Sequence, residues 1–357
     1  MANNSTTVVV GMSGGVDSSV TALLLKQQGY NVIGMFMVNW EEEDSPDGCP
    51  AARDFADVVR VCEQIDIPYY SVNFAREYRD HVFTHFLAEL QAGYTPNPDI
   101  LCNREIKFKL LLQKALDLGA QYLATGHYSR IQARQLLKAR DSNKDQSYFL
   151  YTLRTTILDN VLFPLGDLEK TEVRTYARRY GLATSEKKDS TGICFIGERD
   201  FRTFLSTHIH YRPGNFEDLN GKVIGQHLGV AYYTLGQRKG LQIGGPGEAW
   251  FVVGKDRDRN VVYITQGADH PALYASSLTA TEISWVAEEP PGPLPYRCQA
   301  KVRYRQADQD CTILRIEGDR LYVHFDKPQR AITPRQSIVF YQNDLCLGGA
   351  MIDTVEK

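Results

Sequence analysis

The sequence predicts an α/β protein, with an N-terminal parallel-sheet domain, a small central domain and a C-terminal antiparallel β-barrel or sandwich. Three observations carry that expectation. Up to about residue 130, short apolar runs alternate with helical periods, the pattern of βαβ units. From about Gly214 the texture changes to glycine-rich turns and short alternating strands. A chain of 357 residues also exceeds what one core usually serves, so two or three domains are expected, divided here as 1–207, 208–272 and 273–357.

Thr7 to Gly11 reads as a buried strand and Asp17 to Gln28 as a helix ended by Gly29. Asn31 to Val38 is a second strand, Ala51 to Gln64 a helix, Pro68 to Asn73 a strand, and Arg76 to Gln91 a helix. After a proline-rich loop, Arg104 to Leu118 forms a helix and Gln121 to Thr125 a strand. In the β-rich part, Trp250 to Gly254 and Val261 to Ile264 alternate as strands. Glu289 to Pro295 looks like a connector to a last unit of Gln299 to Tyr304, Thr312 to Ile316, Leu321 to Phe325 and Ser337 to Tyr341.

Apolar residues at 43% and charged residues at 23% match an ordinary soluble protein, and no apolar run approaches bilayer length. Met1 to Thr7 lacks the features of a secretion signal, so a cytoplasmic location is expected. Net charge is −3, but residues 99–154 hold ten Lys/Arg against five Asp/Glu, a face to which a polyanion could be steered and which could equally be a solvated surface. The seven cysteines contain no Cys-x-x-Cys pair, so neither a disulfide scaffold nor an obvious zinc site is expected. Cys62, Cys298, Cys311 and Cys346 read as small buried apolar residues. His81 and His85, at helical spacing, read as an amphipathic helix surface rather than metal ligands.

The strongest local signal is Gly11-Met12-Ser13-Gly14-Gly15-Val16-Asp17-Ser18-Ser19, a strand handing over to a helix. Such a junction aims backbone N–H groups and the positive helix end at one point, where anions bind. Gly14 and Gly15 admit phosphate oxygens without a Cβ clash, Ser13, Ser18 and Ser19 offer hydroxyls, and Asp17 is a candidate Mg²⁺ ligand. The loop has no lysine of the Gly-x-x-x-x-Gly-Lys type, and the dinucleotide fingerprint is missing too. A plain Gly/Ser turn would explain a lone Gly-Gly but not the whole string. The string resembles the pyrophosphatase loop of the N-type ATP pyrophosphatases, the PP-loop superfamily, whose members attack the α-phosphate of ATP and expel pyrophosphate. Met37, ending the second strand, and Gly126, following the fourth, lie where a doubly wound sheet places its ligand crevice.

Thr95 to Arg104 holds two prolines before a helix expected to begin near Cys102 or Asn103, a position that would acidify the Cys102 thiol, with Arg104 and Lys107 nearby and Asp99 within reach as general acid or base. A buried structural cysteine beside a turn would read the same way. Cys194, between Gly192 and Gly197, is the second candidate, separated by 194 − 102 = 92 residues. Together with the phosphate loop, these segments are similar to the bacterial tRNA-specific 2-thiouridylases. The similarity runs from Gly11 to Tyr341 and includes Asn39-Trp40-Glu41-Glu42, Asn97-Pro98-Asp99, Gly126-His127-Tyr128, Lys144-Asp145-Gln146-Ser147-Tyr148, Gly192 to Gly197, Thr234 to Leu241 and Val302-Arg303-Tyr304-Arg305. The loop after Asp44 and the segment Ile131 to Arg140 depart from the family pattern without removing a site residue.

The resemblance implies a PP-loop domain followed by a small central domain and a β-barrel. It implies that Gly11, Met12, Ser13, Gly14, Gly15, Val16, Asp17, Ser18, Met37 and Gly126 bind ATP, with Mg²⁺, and that Asn97, Pro98 and Asp99 meet the target base. Cys102 would be the nucleophile and Cys194 the carrier of a persulfide received from a sulfur-relay protein or cysteine desulfurase, with a Cys102–Cys194 disulfide left to be reduced. His127, Lys144, Asp145, Gln146, Tyr304, Arg305 and Gln336 would touch tRNA, of which the glutamate, glutamine and lysine acceptors are expected. The reaction would replace O2 of the wobble uridine by sulfur, by way of an adenylated oxygen. The rival readings are an amide- or lysidine-forming enzyme, which would need no cysteine, and a noncatalytic RNA-binding protein that uses ATP only as a ligand.

Overall fold

The computed structural model describes residues 5–40, 50–189, 201–209 and 212–356. The N-terminal strands are β1 (Thr7–Met12), β2 (Asn31–Val38), β3 (Tyr69–Asn73), β4 (Tyr122–Ala124), the hairpin pair β5 (Arg130–Gln132) and β6 (Gln135–Leu137), and β7 (Val161–Leu162). Five of them form one parallel sheet in the order β3-β2-β1-β4-β7. Its two faces bury alternate residues of the same strands. Val9, Met35 and Leu123 pack with Phe108 and Leu111, whereas Val8, Val10, Met12 and Phe36 pack with Leu25, Val58 and Val61. A strand covered on both sides has to be apolar throughout, which is why Val8-Val9-Val10 reads as an unbroken run.

Helix α1 (Val16–Gln27) ends on Gly29 as expected. Gly29 takes φ +84°, its N–H bonds to Lys26 O and the Tyr30 N–H bonds to Leu25 O, which satisfies carbonyls the last turn would leave bare. Helix α2 (Pro50–Gln64) follows β2. Two longer helices differ from expectation in pitch. Ala75–Tyr78, Arg79–Phe83 and Thr84–Gln91 run on as one, as do Pro98–Leu101, Cys102–Leu111 and Leu112–Asp117. The middle section of each is π-helical, with i→i+5 bonds such as Thr84 N–H to Arg79 O and Leu112 N–H to Lys107 O. His81 and His85 are exposed on the first of these helices.

The central unit is a four-stranded sheet of β8 (Gly214–Glu217), β9 (Val223–His227), β10 (Trp250–Asp256) and β11 (Val261–Gln266), in the order β10-β11-β8-β9. The last unit comprises β12 (Tyr274–Trp285), β13 (Tyr296–Lys301), β14 (Gln309–Glu317), β15 (Arg320–Arg330), β16 (Ser337–Gln342) and β17 (Leu345–Glu356). Their order is β12-β15-β14-β13-β16-β17, and β12 pairs again with β17, so the sheet closes into an antiparallel barrel without free edges. Barrel rather than sandwich is thus the outcome. The β5–β6 hairpin of the first domain extends the same hydrogen-bonded system through Leu137 and Leu345. One hydrophobic cluster spans the junction, joining Leu123, Tyr148 and Tyr151 to Val286, Val339, Tyr341 and Cys346. Among the described residues, no helix is long and apolar enough to cross a membrane.

Candidate active site

In the sheet order, β2 and β4 flank β1 on opposite sides, and the chain leaves β1 and β4 in different directions. The crevice at their carboxyl ends is where such sheets bind ligands. The loop after β1 lies there, folded by its own hydroxyls. Ser13 N–H donates to Ser18 Oγ at 3.1 Å, and Ser18 Oγ donates to Gly15 O at 3.1 Å. Gly15 is the residue that caps α1, and it has no side chain to satisfy the N–H groups of the first turn, so those donors suit an anion. Gly14 takes φ +72°, and a Cβ there would fall 2.6 Å from Asp54 O, so its glycine is required by packing on α2. Gly126 comes from the loop after β4, where a Cβ would meet Asp17 C and Ser18 N at 2.9 Å. That contact brings β4's exit onto the start of α1. Ser19, expected as a third hydroxyl donor, is instead fully buried, donating to Gly15 O and accepting from Thr184 Oγ1.

Asp17 does not stand open for a metal. Lys170 Nζ lies 2.7 and 2.8 Å from its two oxygens and the Tyr128 hydroxyl donates to it at 2.8 Å. Lys170 also reaches Asp189, which receives Lys144 at 2.7 Å and Arg174 at 2.6 Å. Partial burial pushes the Asp189 carboxyl up, but the bonds from Lys144 and Lys170 outweigh it and hold it at about 2. Among the described residues, no group of three or more His, Cys, Asp or Glu is arranged to hold a metal ion.

Cys102 is placed differently from expectation. Its helix starts at Pro98, with Asn97 as the cap whose Oδ1 accepts the Asp99 N–H at 3.1 Å, and proline at the first helical position is favoured because it lacks the N–H that would go unbonded. Cys102 is therefore the fifth helical residue, past the reach of the helix start, and acidification by that start does not apply. It is 1% exposed, packed among Tyr78, Phe83, Phe86 and Ile106. Met37 is half-buried against the same cluster. Cys194 lies outside the described residues, as do Gly192 to Gly197. Cys62, Cys298, Cys311 and Cys346 are buried as expected, and burial pushes the Cys62 and Cys346 thiols up to about 12.

The loop before this helix is held by both the barrel and the central unit, an arrangement that no sequence signal announced. Gln336 Nε2, from the barrel, donates to Thr95 O, and Thr234 Oγ1, from the central unit, donates to Thr95 Oγ1 at 3.3 Å. Lys255 donates to Gly93 O at 3.0 Å and Arg257 to Ala92 O at 2.9 Å, while Arg257 and Arg335 lie 4.5 and 5.0 Å from the centre of the Tyr94 ring. Burial, and then the Arg257 charge, lowers the Lys255 ammonium to about 8.

Of the expected RNA contacts, His127 stays beside the loop, with Nδ1 2.7 Å from Thr125 Oγ1 and the ring near Phe108 and Phe163. Burial, and then the Lys107 charge, holds its imidazole well below the ordinary value, so it is neutral at pH 7. Asp145 is buried, its carboxylate taken by Ala139 N–H, Ser147 and Lys301, which makes it a brace between this segment and the barrel. Gln146 likewise pairs with both backbone groups of Tyr128. Lys144 is spent on Asp189, and Gln336 on Thr95. Tyr304 packs against Phe149 with the rings tilted by 48° and their centres 4.5 Å apart, and it and the exposed Arg305 line an open groove of about 950 Å³ between the hairpin and the barrel. Arg130, Lys138, Arg140 and Lys301 line it too. Asp145, Asp167, Asp308 and Asp344 share that lining, with Arg130 on Asp344, Lys138 on Asp308 and Lys301 on Asp145, so the groove is of mixed charge, with an aromatic wall and the exposed Arg305 available to a phosphate.

Three family models match the chain: a tRNA methyl transferase HUP domain over residues 6–198, a tRNA methyl transferase PRC-barrel domain over 202–266 and an aminomethyltransferase beta-barrel domain over 275–352. Among curated relatives, the tRNA-specific 2-thiouridylase MnmA of Protochlamydia amoebophila is 64% identical over 98% of this chain and 94% of its own length. Those of Halalkalibacterium halodurans and Alkaliphilus oremlandii are each 56% identical, over 99% and 100% of this chain and 96% and 99% of their own.

Proposed function

The chain belongs to the tRNA-specific 2-thiouridylase family and is a tRNA-thiolating sulfurtransferase, and from that membership we propose that it adenylates O2 of a wobble uridine and replaces it with persulfide sulfur. The observation that supports the first half is the uncapped start of α1 closed in by Gly126, a site for the triphosphate of MgATP at the open end of the parallel sheet. Mg²⁺ arrives there with the nucleotide, since it keeps most of its shell as water and phosphate. Met37 is the neighbour of the adenosine.

Uridine O2 attacks the α-phosphate, and pyrophosphate leaves. The base now carries AMP, a far better leaving group than oxide. The wobble base is drawn from its stack to Asn97, Pro98 and Asp99, as base-modifying enzymes require. Sulfur bonds to C2 and AMP departs, either by sulfide released when Cys102 attacks the Cys194 persulfide, or by direct attack of the terminal persulfide sulfur, after which Cys102 attacks Cys194 Sγ, breaks the S–S bond and frees the thiolated base. Either route leaves a Cys102–Cys194 disulfide, which a thiol reductant reopens. Asp99 serves as general acid or base beside this chemistry. Burial of Cys102 has a mechanistic consequence, because a thiol packed among aromatic rings has to be uncovered before it meets a persulfide. His127, Tyr304 and Arg305 hold the RNA, and Lys144, Asp145, Gln146 and Gln336 shape that surface from behind. The tRNAs are those of glutamate, glutamine and lysine, and the sulfur comes from a relay protein or a cysteine desulfurase. The labour divides among 1–207 for the chemistry, 208–272 as brace for the Thr95 loop, and 273–357 for the RNA.

The test is mass spectrometry of tRNA nucleosides after incubation with MgATP and a sulfide donor, with pyrophosphate and AMP measured in parallel. 2-Thiouridine should appear with both products. Cys102→Ser and Cys194→Ser should each abolish 2-thiouridine while ATP binding persists, and thiolation retained by both variants would sink the sulfur chemistry.

A further inference from the structure

The segment leading into Asn97-Pro98-Asp99 is gripped by the other two units at successive residues from Ala92 to Thr95. Ala92 and Gly93 follow the helix Thr84–Gln91, whose last turn leaves carbonyls without an intrahelical partner. Arg257 and Lys255 of the central unit donate to Ala92 O and Gly93 O, and cations suit that end of the helix dipole. Gly93 takes φ +77°, and a Cβ there would fall 2.8 Å from Arg257 Cγ and Cδ, so the arginine stem lies against the backbone.

Capping of a helix end accounts for these two contacts but not for Arg335. Arg335 precedes β16 at φ +67°, in the left-handed region where a side chain is strained and glycine is not. Its side chain does little for its own unit, where its one polar contact among the described residues is Met351 Sδ at 3.9 Å. It crosses instead to the first domain, with Nε 3.1 Å from Glu89 Oε2 and the guanidinium 5.0 Å from the centre of the Tyr94 ring. Strain of this kind persists where the surroundings fix it, and it clusters at functional sites.

We propose that Arg335 is a positioning residue for uridine thiolation: with Lys255 and Arg257 it fixes residues 92–95, and through them it sets where Asn97, Pro98 and Asp99 present the target base. The proposal rests on the reading above in which those three residues meet the base, and deepens it. Pro96 alone separates Thr95 from Asn97, and its fixed φ passes a displacement of Thr95 on to Asn97. A misplacement of about 1 Å costs as much as about 100-fold in rate.

Arg335→Gly separates this role from stability, since glycine relieves the backbone strain while the side chain is lost. Single-turnover formation of 2-thiouridine is followed with MgATP, excess sulfide donor and increasing tRNA, and each rate is divided by the number of ATP-binding sites counted calorimetrically. Arg335→Gly should lower the rate at saturating tRNA about tenfold and leave half-saturation within about twofold, with the melting temperature and ATP affinity no worse than wild type. Lys255→Met should lower the saturated rate in the same way, and Lys255→Arg, which keeps the charge and the donor, should stay within about threefold of wild type. A wild-type saturated rate in Arg335→Gly would overturn the proposal. So would a rise in half-saturation alone, which marks a direct RNA contact, or a loss that vanishes once rates are divided by ATP sites, which marks a structural role. Wild-type protein that formed no 2-thiouridine would instead remove the parent reading.

Discussion

Gly126→Ala puts the assignment of the nucleotide crevice under direct strain. The new methyl would stand 2.9 Å from Asp17 C and Ser18 N, where ordinary contact begins at 3.4 Å, so about 0.5 Å of room has to open between two stretches of backbone. Neither can rotate aside as a side chain would. Helix α1 is buried through Val16, Ser18, Ser19, Val20, Ala22 and Leu23, so the give falls on the loop or on Thr125 to His127. Overpacking of this kind costs about 1–3 kcal/mol. If it falls on the nucleotide site, the dissociation constant for ATP rises about five- to 150-fold. If it falls on the fold, the melting temperature drops by a few degrees. Gly244→Ala, whose methyl would meet nothing within 4 Å, is the control and should match wild type in both. Calorimetric ATP titration and thermal melts read the two effects separately. Wild-type ATP affinity in Gly126→Ala together with an unchanged melting temperature would refute the close approach of this turn to the start of α1 on which the placement of the triphosphate rests.

Lys255 predicts a pH effect. Between about pH 8 and the ordinary lysine value of 10.5 the unfolded side chain holds a proton that the folded one has released, so stability should rise with pH through that window, by at most about 3 kcal/mol, and Lys255→Met should flatten the rise in denaturant midpoints between pH 7.5 and 10.5. Burial of Cys102 predicts that, in the free protein, iodoacetamide modifies it as slowly as Cys62, and that ATP with tRNA accelerates the first and leaves the second unchanged. Peptide mass spectrometry reads both rates, and rapid labelling of Cys102 without substrates would contradict its place among Tyr78, Phe83 and Phe86.

The fold is legible where one residue pattern has one physical cause. Val8-Val9-Val10 suits only a strand covered on both faces, and Gly29 only the end of α1, so both elements stand where the sequence places them. The start of the Cys102 helix differs from expectation because Pro96 and Pro98 both read as loop formers. Proline at the first turn starts a helix as readily as it breaks one, and the deciding signal is Asn97 immediately ahead of it. The closing strands of the barrel, β12 and β17, escape the sequence reading for a related reason. Each is twelve residues long with shifts in register, and a bulge breaks the strict alternation by which a strand is read.

The site divides along the same line. Its backbone features, the glycines and the helix start, are visible in the sequence because a turn of fixed geometry admits few residues. Its charged partners are not, because an ion pair between residues 17 and 170 leaves no mark in local spacing. The family resemblance assigns Asp145 and Gln146 to RNA, whereas the structure spends them on Ala139, Ser147, Lys301 and Tyr128. On the proposed reading such residues shape the RNA surface from behind, by holding Ala139, Ser147, Lys301 and Tyr128 in place. Substitution at Asp145 should therefore act through stability and through the whole groove, because it leaves the buried Lys301 with only its longer contact, 3.8 Å, to Asp308 and takes the acceptor from Ala139 N–H and Ser147. Substitution at Arg305 should weaken tRNA alone, and with a salt dependence, because that side chain is exposed and braces nothing in the barrel beyond its contact with Tyr304 among the described residues.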